Sequence, residues 1–365
     1  MSDVETDSAA AEGWRLRPLI LSIVGAIAAV IVQQLLDKKG FTTSPLFEVE
    51  TWRIALAAAV GVGAGAYCFA VERARALWSL VFSLAVGVVA GLVFYWNGSG
   101  WDVWYDWHTA SAFLAIAISV PLFQTARDHG GWRFAYPDVH GHAWTNVVLW
   151  CACWLFVDVV FALAWLLASL FDLIGLHFLR DLLDHNWFTA LLFGGSFGAV
   201  LGLLRARDGV VRLLRRVVTA VLAVLAPALG VGLVVFLCSL PFTGLAALWQ
   251  ATKSTTPILL SCVIGAVILV NAVIGDGSDE EATNPALRWG AAALAVAMLP
   301  LTLIAALATS LRIQQYGYSP DRLWALAFVM LATVYAAAYF GSVMRRRLAW
   351  PVPVRDANLK LAMAA

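Results

Sequence analysis

Residues 287–344 read LRWGAAALAVAMLPLTLIAALATSLRIQQYGYSPDRLWALAFVMLATVYAAAYFGSVM. Two apolar runs, 287–311 and 322–344, flank the polar stretch RIQQYGYSPDR at 312–322. Each run is longer than the roughly 20 residues a helix needs to cross the hydrocarbon of a bilayer. Backbone polar groups in hydrocarbon must be satisfied within the segment, so the pattern implies two membrane-spanning helices joined by a short turn.

The rest of the chain repeats this pattern. Of 365 residues, 62% are hydrophobic and 13% charged, and the mean hydropathy is +0.82. Soluble domains carry about half and about a quarter, respectively. The expected fold is an all-α, polytopic transmembrane bundle of about ten spans, at 18–36, 52–71, 76–96, 109–125, 146–171, 187–204, 217–240, 256–275, 287–311 and 322–344. Residues 1–17 form an acidic-then-basic tail and 345–365 a basic segment. The run 18–36 is longer than a signal-peptide core and stays as a helix. With the N-terminus inside, inner segments and their flanks hold fifteen Lys and Arg residues through Arg347, and outer ones seven. Retention of cations in inner loops therefore predicts cytoplasmic N- and C-termini. Trp14, Trp52, Trp78, Trp96, Trp144, Trp187, Trp289, Trp324 and Trp350 sit near span ends, as an interfacial aromatic belt requires.

Net charge +1 and the absence of a basic arm argue against a nucleic-acid partner. All five cysteines lie in apolar runs, which predicts free thiols rather than a disulfide framework. Gly87-x-x-x-Gly91 and Gly194-x-x-x-Gly198-x-x-x-Gly202 are small-residue stripes that let helices approach closely. Residues 172–185 have the spacing of an amphipathic interfacial helix, with i,i+4 pairs His177/Asp181, Arg180/Asp184 and Asp181/His185. Residues 241–256 are too apolar for a free loop and read as a short re-entrant or interfacial segment. Pro121, Pro227 and Pro300 interrupt spans four, seven and nine.

The turn at 312–322 carries the sharpest candidate site. Ser319-Pro320-Asp321 is a helix start, Gly317 suits the turn before it, and Arg312 closes the preceding helix. Arg322 stands apart: it sits in the first turn of a helix, where the dipole repels a cation, on the face that disfavours cations. A carboxylate or a bound anion is expected to offset it. Arg312, Gln315, Tyr316 and Arg322 thus form an expected outer-face cluster for an anionic group, a lipid phosphate or carboxylate, with Thr243 and Trp249 as further walls. Asp102 and Asp106 are the alternative, protein-internal partners of Arg322.

These residues also carry a resemblance. The stretch LRIQQYGYSPDRLW, with HAWTNVVLW (142–150), LFDLIGLHFLRDLL (170–183), FGAVLGLL (197–204), FTGLAALWQATKSTTPILL (242–260) and NAVIGDG (271–277), resembles the bacterial membrane proteins grouped as domain of unknown function 4153. The resemblance covers roughly residues 130–358. It implies a bacterial inner-membrane, multi-pass protein and lends no reaction. Such proteins usually continue beyond this chain's last residues, so RDANLKLAMAA is expected to begin a further segment.

Other candidates are weaker. Asp102, Asp106 and His108 lie among four aromatics in 97–108, read as an interfacial anchor or, alternatively, a site for a sugar or cationic group. His140-x-His142 reads as part of a solvated inner loop, not a metal site. Asp158, near the middle of span five, is a proton-carrying or substrate-contacting carboxyl by default, or a protonated packing partner. The chain has no P-loop, dinucleotide fingerprint, G-x-S-x-G or zinc-protease helix. The sequence therefore implies no catalytic residues, metal or cofactor. Its expected partners are membrane lipids and an anionic or amphiphilic small molecule. Transport or flipping of such an amphiphile is the leading function, and a membrane-embedded scaffold or sensor the alternative.

Overall fold

The computed structural model describes residues 14, 16–37, 50–96, 103–251, 255–277, 279–346 and 349–364. The described residues are helical and connecting, with no strand among them. The helices are α1 (Arg17–Leu36), α2 (Thr51–Ala70), α3 (Ala76–Trp96), α4 (Val103–His129), α5 (Tyr136–Asp172), α6 (Phe178–Leu183), α7 (Asn186–Arg205), α8 (Asp208–Ala251), α9 (Thr255–Ile274), α10 (Pro285–Tyr316), α11 (Pro320–Arg346) and α12 (Pro351–Ala364). Nine of them, among the described residues, are long and apolar enough to cross a membrane: α1, α2, α3, α5, α7, α8 as far as Phe242, α9, α10 and α11. The protein is a multi-pass helical membrane protein. The expected fourth span, 109–125, lies within α4, which is not among these nine.

The chain divides into two compact units, residues 1–133 with 142–214, and residues 134–141 with 215–365. In the first, α1 lies against α7 and α2 against α3, while α4 packs on α2 and α3. Both contacts run through the glycine stripes. A Cβ on Gly198 would fall inside the radius of the Leu21 carbonyl, and one on Gly202 would lie 2.5 Å from Pro18 Cα. Gly87 abuts the Ala59 carbonyl and Gly91 that of Ala55, each at 2.6–3.0 Å from an added Cβ. Backbones this close gain dispersion contacts that side chains would hold apart, the main attraction between helices in lipid. Leu21, Cys68, Leu149, Cys153 and Leu201 form the buried centre of this unit.

In the second unit α10 is the central element, packed on α9 and α11, with α12 against α11. Val270, Ala291, Leu294, Met298, Leu301 and Tyr339 are at most 0% exposed. Gly290 seats against Pro227, whose Cα an added Cβ would meet at 2.6 Å. Pro121, Pro227 and Pro300 all lie inside continuous helices. Within 241–256 the helical backbone breaks at Gly244, with φ 72°, and a short helical piece runs on to Ala251; glycine adopts that backbone state without strain.

Two expected boundaries move. The amphipathic helix over 172–185 shrinks to α6, because α5 runs on to Asp172 and Gly175, at φ 77°, turns the chain. Its i,i+4 side-chain pairs give way to bonds onto Asp172, from His177 Nδ1 at 2.9 Å and Arg180 at 2.8 Å. The loop expected at 136–144 is the start of α5, and His140 is buried in it.

Candidate functional site

At the α10–α11 turn, Gly317 takes φ 75° and donates its N–H to the Ile313 carbonyl. Arg322 then reaches back across the turn. One nitrogen, Nη1, donates to the Tyr316 carbonyl at 3.0 Å and the Gly317 carbonyl at 2.7 Å. Its guanidinium lies 5.4 Å from the Tyr316 ring centroid, within cation–π range. No carboxylate lies within ion-pair distance of Arg322 among the described residues. The turn places the negative C-terminal end of α10 beside Arg322, and that end supplies the compensation. Gln315 and Tyr316 are exposed on the same turn. Arg322→Ala is expected to cost about 1 kcal/mol of stability at this exposed site, whereas Arg322→Lys, keeping a single donating nitrogen, retains most of it. Thermal unfolding in detergent measures both. An anion-gripping guanidinium would instead make lysine nearly as damaging as alanine.

Asp102 lies outside the described residues, as do the side chains of Asp106, Thr243 and Trp249. Asp106 and His108 belong to α4, which starts at Val103, rather than to a loop. Asp158 is exposed on α5 and has no hydrogen-bond or ion-pair partner among the described residues. Among these residues no cluster of His, Cys, Asp or Glu could hold a metal, and the cysteines are free thiols.

Two polar networks were not legible in the sequence. In the first unit, the last carbonyls of α2 each receive side-chain donors: Arg205 at Cys68 (2.8 Å), Gln124 at Phe69 (2.8 Å), Ser79 (2.9 Å) and Arg127 at Ala70, and Arg17 at Val71 (3.0 Å). Glu72 accepts from Arg17 at 2.7 Å and Arg205 at 3.3 Å on one oxygen. In the second unit, Asn271 donates to the Tyr339 hydroxyl (2.8 Å), Tyr339 to Asn358 (2.8 Å), and Asn358 back to Asn271 (2.7 Å). Tyr136 adds a donor to Asn271 at 3.1 Å and lies 2.9 Å from His140 Nδ1. Arg355 fastens α12 beside this ring through the carbonyls of Ile274 and Gly277 (3.0 Å) and Glu281 (3.2 Å). In the second network the Asn271, Tyr339 and Asn358 side chains close a ring of hydrogen bonds among themselves.

Room exists elsewhere. Within the first unit α1, α2, α5 and α7 line an open-sided pocket of about 490 Å³, within the size range of small-molecule sites. One wall is small: Gly25, Ala28, Gly61, Ala64 and Gly65. The facing wall is aromatic, with Trp150, Trp154, Phe193 and Phe197. Trp150 stacks edge-on to both Trp154, at 6.0 Å, and Phe197, at 5.6 Å. Besides the indole N–H groups of Trp150 and Trp154, the polar side chains of the lining are Gln33, Thr189 and Cys68. Because α1 and α7 run antiparallel with Leu21 facing Gly198 and Gly25 facing Gly194, Gln33 comes level with the first turn of α7, near Thr189.

A scan against protein-family models finds no match for the chain, and neither do searches of curated proteins and of solved structures.

Proposed function

We propose that this protein transports or flips a small amphiphilic, lipid-like molecule, whose hydrocarbon part occupies the pocket of the first unit. The observation that carries this reading is the pocket itself. It lies among helices apolar enough to span a membrane, and its walls are hydrocarbon and aromatic. A bundle that needed only to stand in the bilayer would fill such a space with side chains, because each lost contact costs dispersion energy. The protein is proposed to reside in a bacterial inner membrane, as the resemblance to domain of unknown function 4153 implies.

A tenth crossing by α4 completes the proposed topology, with both termini cytoplasmic. Supporting it, Gln124 and Arg127 near the end of α4 bond the carbonyls that end α2, while α4 begins just after α3 has returned to the level of α2's start. Its 27 residues extend about 40 Å, enough to traverse the same thickness as α2. An even number of crossings also keeps the Arg345–Arg347 run on the retained side.

The test is reconstitution into liposomes with a panel of dithionite-quenchable fluorescent amphiphiles, neutral, zwitterionic and anionic. Protein is expected to accelerate loss of the protected inner-leaflet signal for at least one. Gly65 has open space where its Cβ would be, so Gly65→Leu fills the pocket without a backbone clash and should slow that transfer about tenfold while the protein stays folded. Transfer no faster than in empty liposomes for every probe would leave the scaffold or sensor reading. That alternative is favoured by the second unit, whose polar ring is fully closed.

A further inference from the structure

The lining of this pocket also bears on which amphiphile it takes. No charged side chain lines it. A charged group placed among apolar walls within a membrane is costly unless a partner meets it. Arg53, at the same end, is turned elsewhere: it donates to the main-chain carbonyls of Gln34 at 3.0 Å and Asp37 at 2.9 Å, closing the end of α1.

Gln33 is the exception in the lining. Its primary amide carries two donors and an acceptor, sits in an apolar helix, and has no hydrogen-bond partner among the described residues. Thr189, one turn away across the α1–α7 contact, spends its hydroxyl proton on the Asn186 carbonyl at 2.9 Å. Its oxygen keeps acceptor capacity. The polar end of the pocket therefore offers donors and acceptors but no charge, while the rest is mostly hydrocarbon and ring faces, with a thiol and two indole N–H donors and no strong acceptor.

We infer that the pocket selects an uncharged amphiphile, a long hydrocarbon bearing one hydroxyl or carbonyl group, and that Gln33 is the hydrogen-bond partner of that group. This rests on the pocket reading above and narrows it. The hydrocarbon lies between the glycine–alanine wall and the tryptophan–phenylalanine wall. The hydroxyl or carbonyl sits at the Gln33–Thr189 end, where an ionic head would be left without a counter-charge.

The experiment uses the full chain in phosphatidylcholine nanodiscs with two photoreactive probes of equal chain length, a diazirine-bearing hexadecanol and a diazirine-bearing hexadecyl sulfate. The alcohol is expected to crosslink saturably to α1, α2 and α7, and the sulfate about tenfold more weakly. Gln33→Leu, which keeps the volume and removes the amide, should weaken the alcohol about tenfold and leave the sulfate unchanged. Gly65→Leu should abolish labelling by both. Equal or tighter binding of the sulfate, drawn for instance by Arg53, would overturn the inference, as would an unchanged alcohol affinity in Gln33→Leu. Either result leaves the pocket itself standing. Failure of both probes to label these helices, with the protein folded, removes the inference and the transport reading together.

Discussion

Replacing Gly198 by leucine is expected to leave almost no folded protein to purify. Its Cβ would overlap the Leu21 carbonyl and approach the Ser22 nitrogen to 2.9 Å. The obstructing atoms are backbone, so no side chain can rotate away. Gly194 and Gly202 on the same stripe face Gly25 and Pro18 just as closely, and α1 cannot retreat from one without leaving all three. The Ser22 hydroxyl bond to the Gly195 carbonyl, at 2.9 Å, would be lost with them. The cost should exceed the roughly 1–3 kcal/mol of ordinary overpacking. Size-exclusion profiles of detergent extracts would show it as aggregate in place of the wild-type peak. Gly65→Leu is the matched control, because it adds the same side chain into open space. A Gly198→Leu protein with a wild-type profile and melting temperature would mean that α1 and α7 are not in backbone contact.

That stripe was legible in the sequence because a four-residue spacing of glycines on an apolar helix says how close a neighbour comes. The hairpin of α10 and α11 was legible for a similar reason: Gly317, Ser319 and Pro320 each act on their own local backbone. What escaped were interactions whose partner is a main-chain atom far along the chain. Arg322 looked unpaired because only side chains and ligands were weighed against it, while the Tyr316 and Gly317 carbonyls accept from one of its nitrogens. Arg205 and Arg127 looked like cytoplasmic charges, yet they close a helix end 137 and 57 residues earlier. Gln33 was passed over in an apolar run that no motif marks. Asp158, singled out for its depth, lies outside the pocket lining. Depth alone does not say which way a helix turns a side chain. His140, expected in a loop, lies in α5, and Pro137 falls in that helix's first turn, a position proline tolerates.

The two polar networks also divide the labour within the molecule. Helix α2 forms one side of the pocket, and its end is held by Arg17, Gln124, Arg127 and Arg205. A wall that must keep an open space beside it cannot rely on side chains filling that space. Anchoring its terminus from three other elements fixes it instead, so the packing lost to the pocket is offset outside it.

Glu72→Gln should therefore be the most damaging single change outside the glycine stripes. Arg17 and Arg205, with side chains only 7% and 10% exposed, share one Glu72 oxygen. Part of their charge is met by the carbonyls that end α2, where the helix dipole favours cations. The rest is met by this carboxylate. A neutral amide keeps the shape but leaves two buried guanidiniums with no counter-charge between them. Breaking a buried ion pair by removing one partner costs about 3–5 kcal/mol, and Glu72, about a third exposed at 36%, should fall near 2–3 kcal/mol on that scale. The loss should be reduced by removing one of the two cations. Arg205→Met alone loses its bond to the Cys68 carbonyl and should be destabilising. Combined with Glu72→Gln it should cost less than the two single changes summed, by about 1 kcal/mol or more, as contacting residues in one network do. Melting temperatures of the four proteins in one detergent give the comparison. Strict additivity would show that Glu72 does not compensate Arg205, and that the helix end alone carries both arginines.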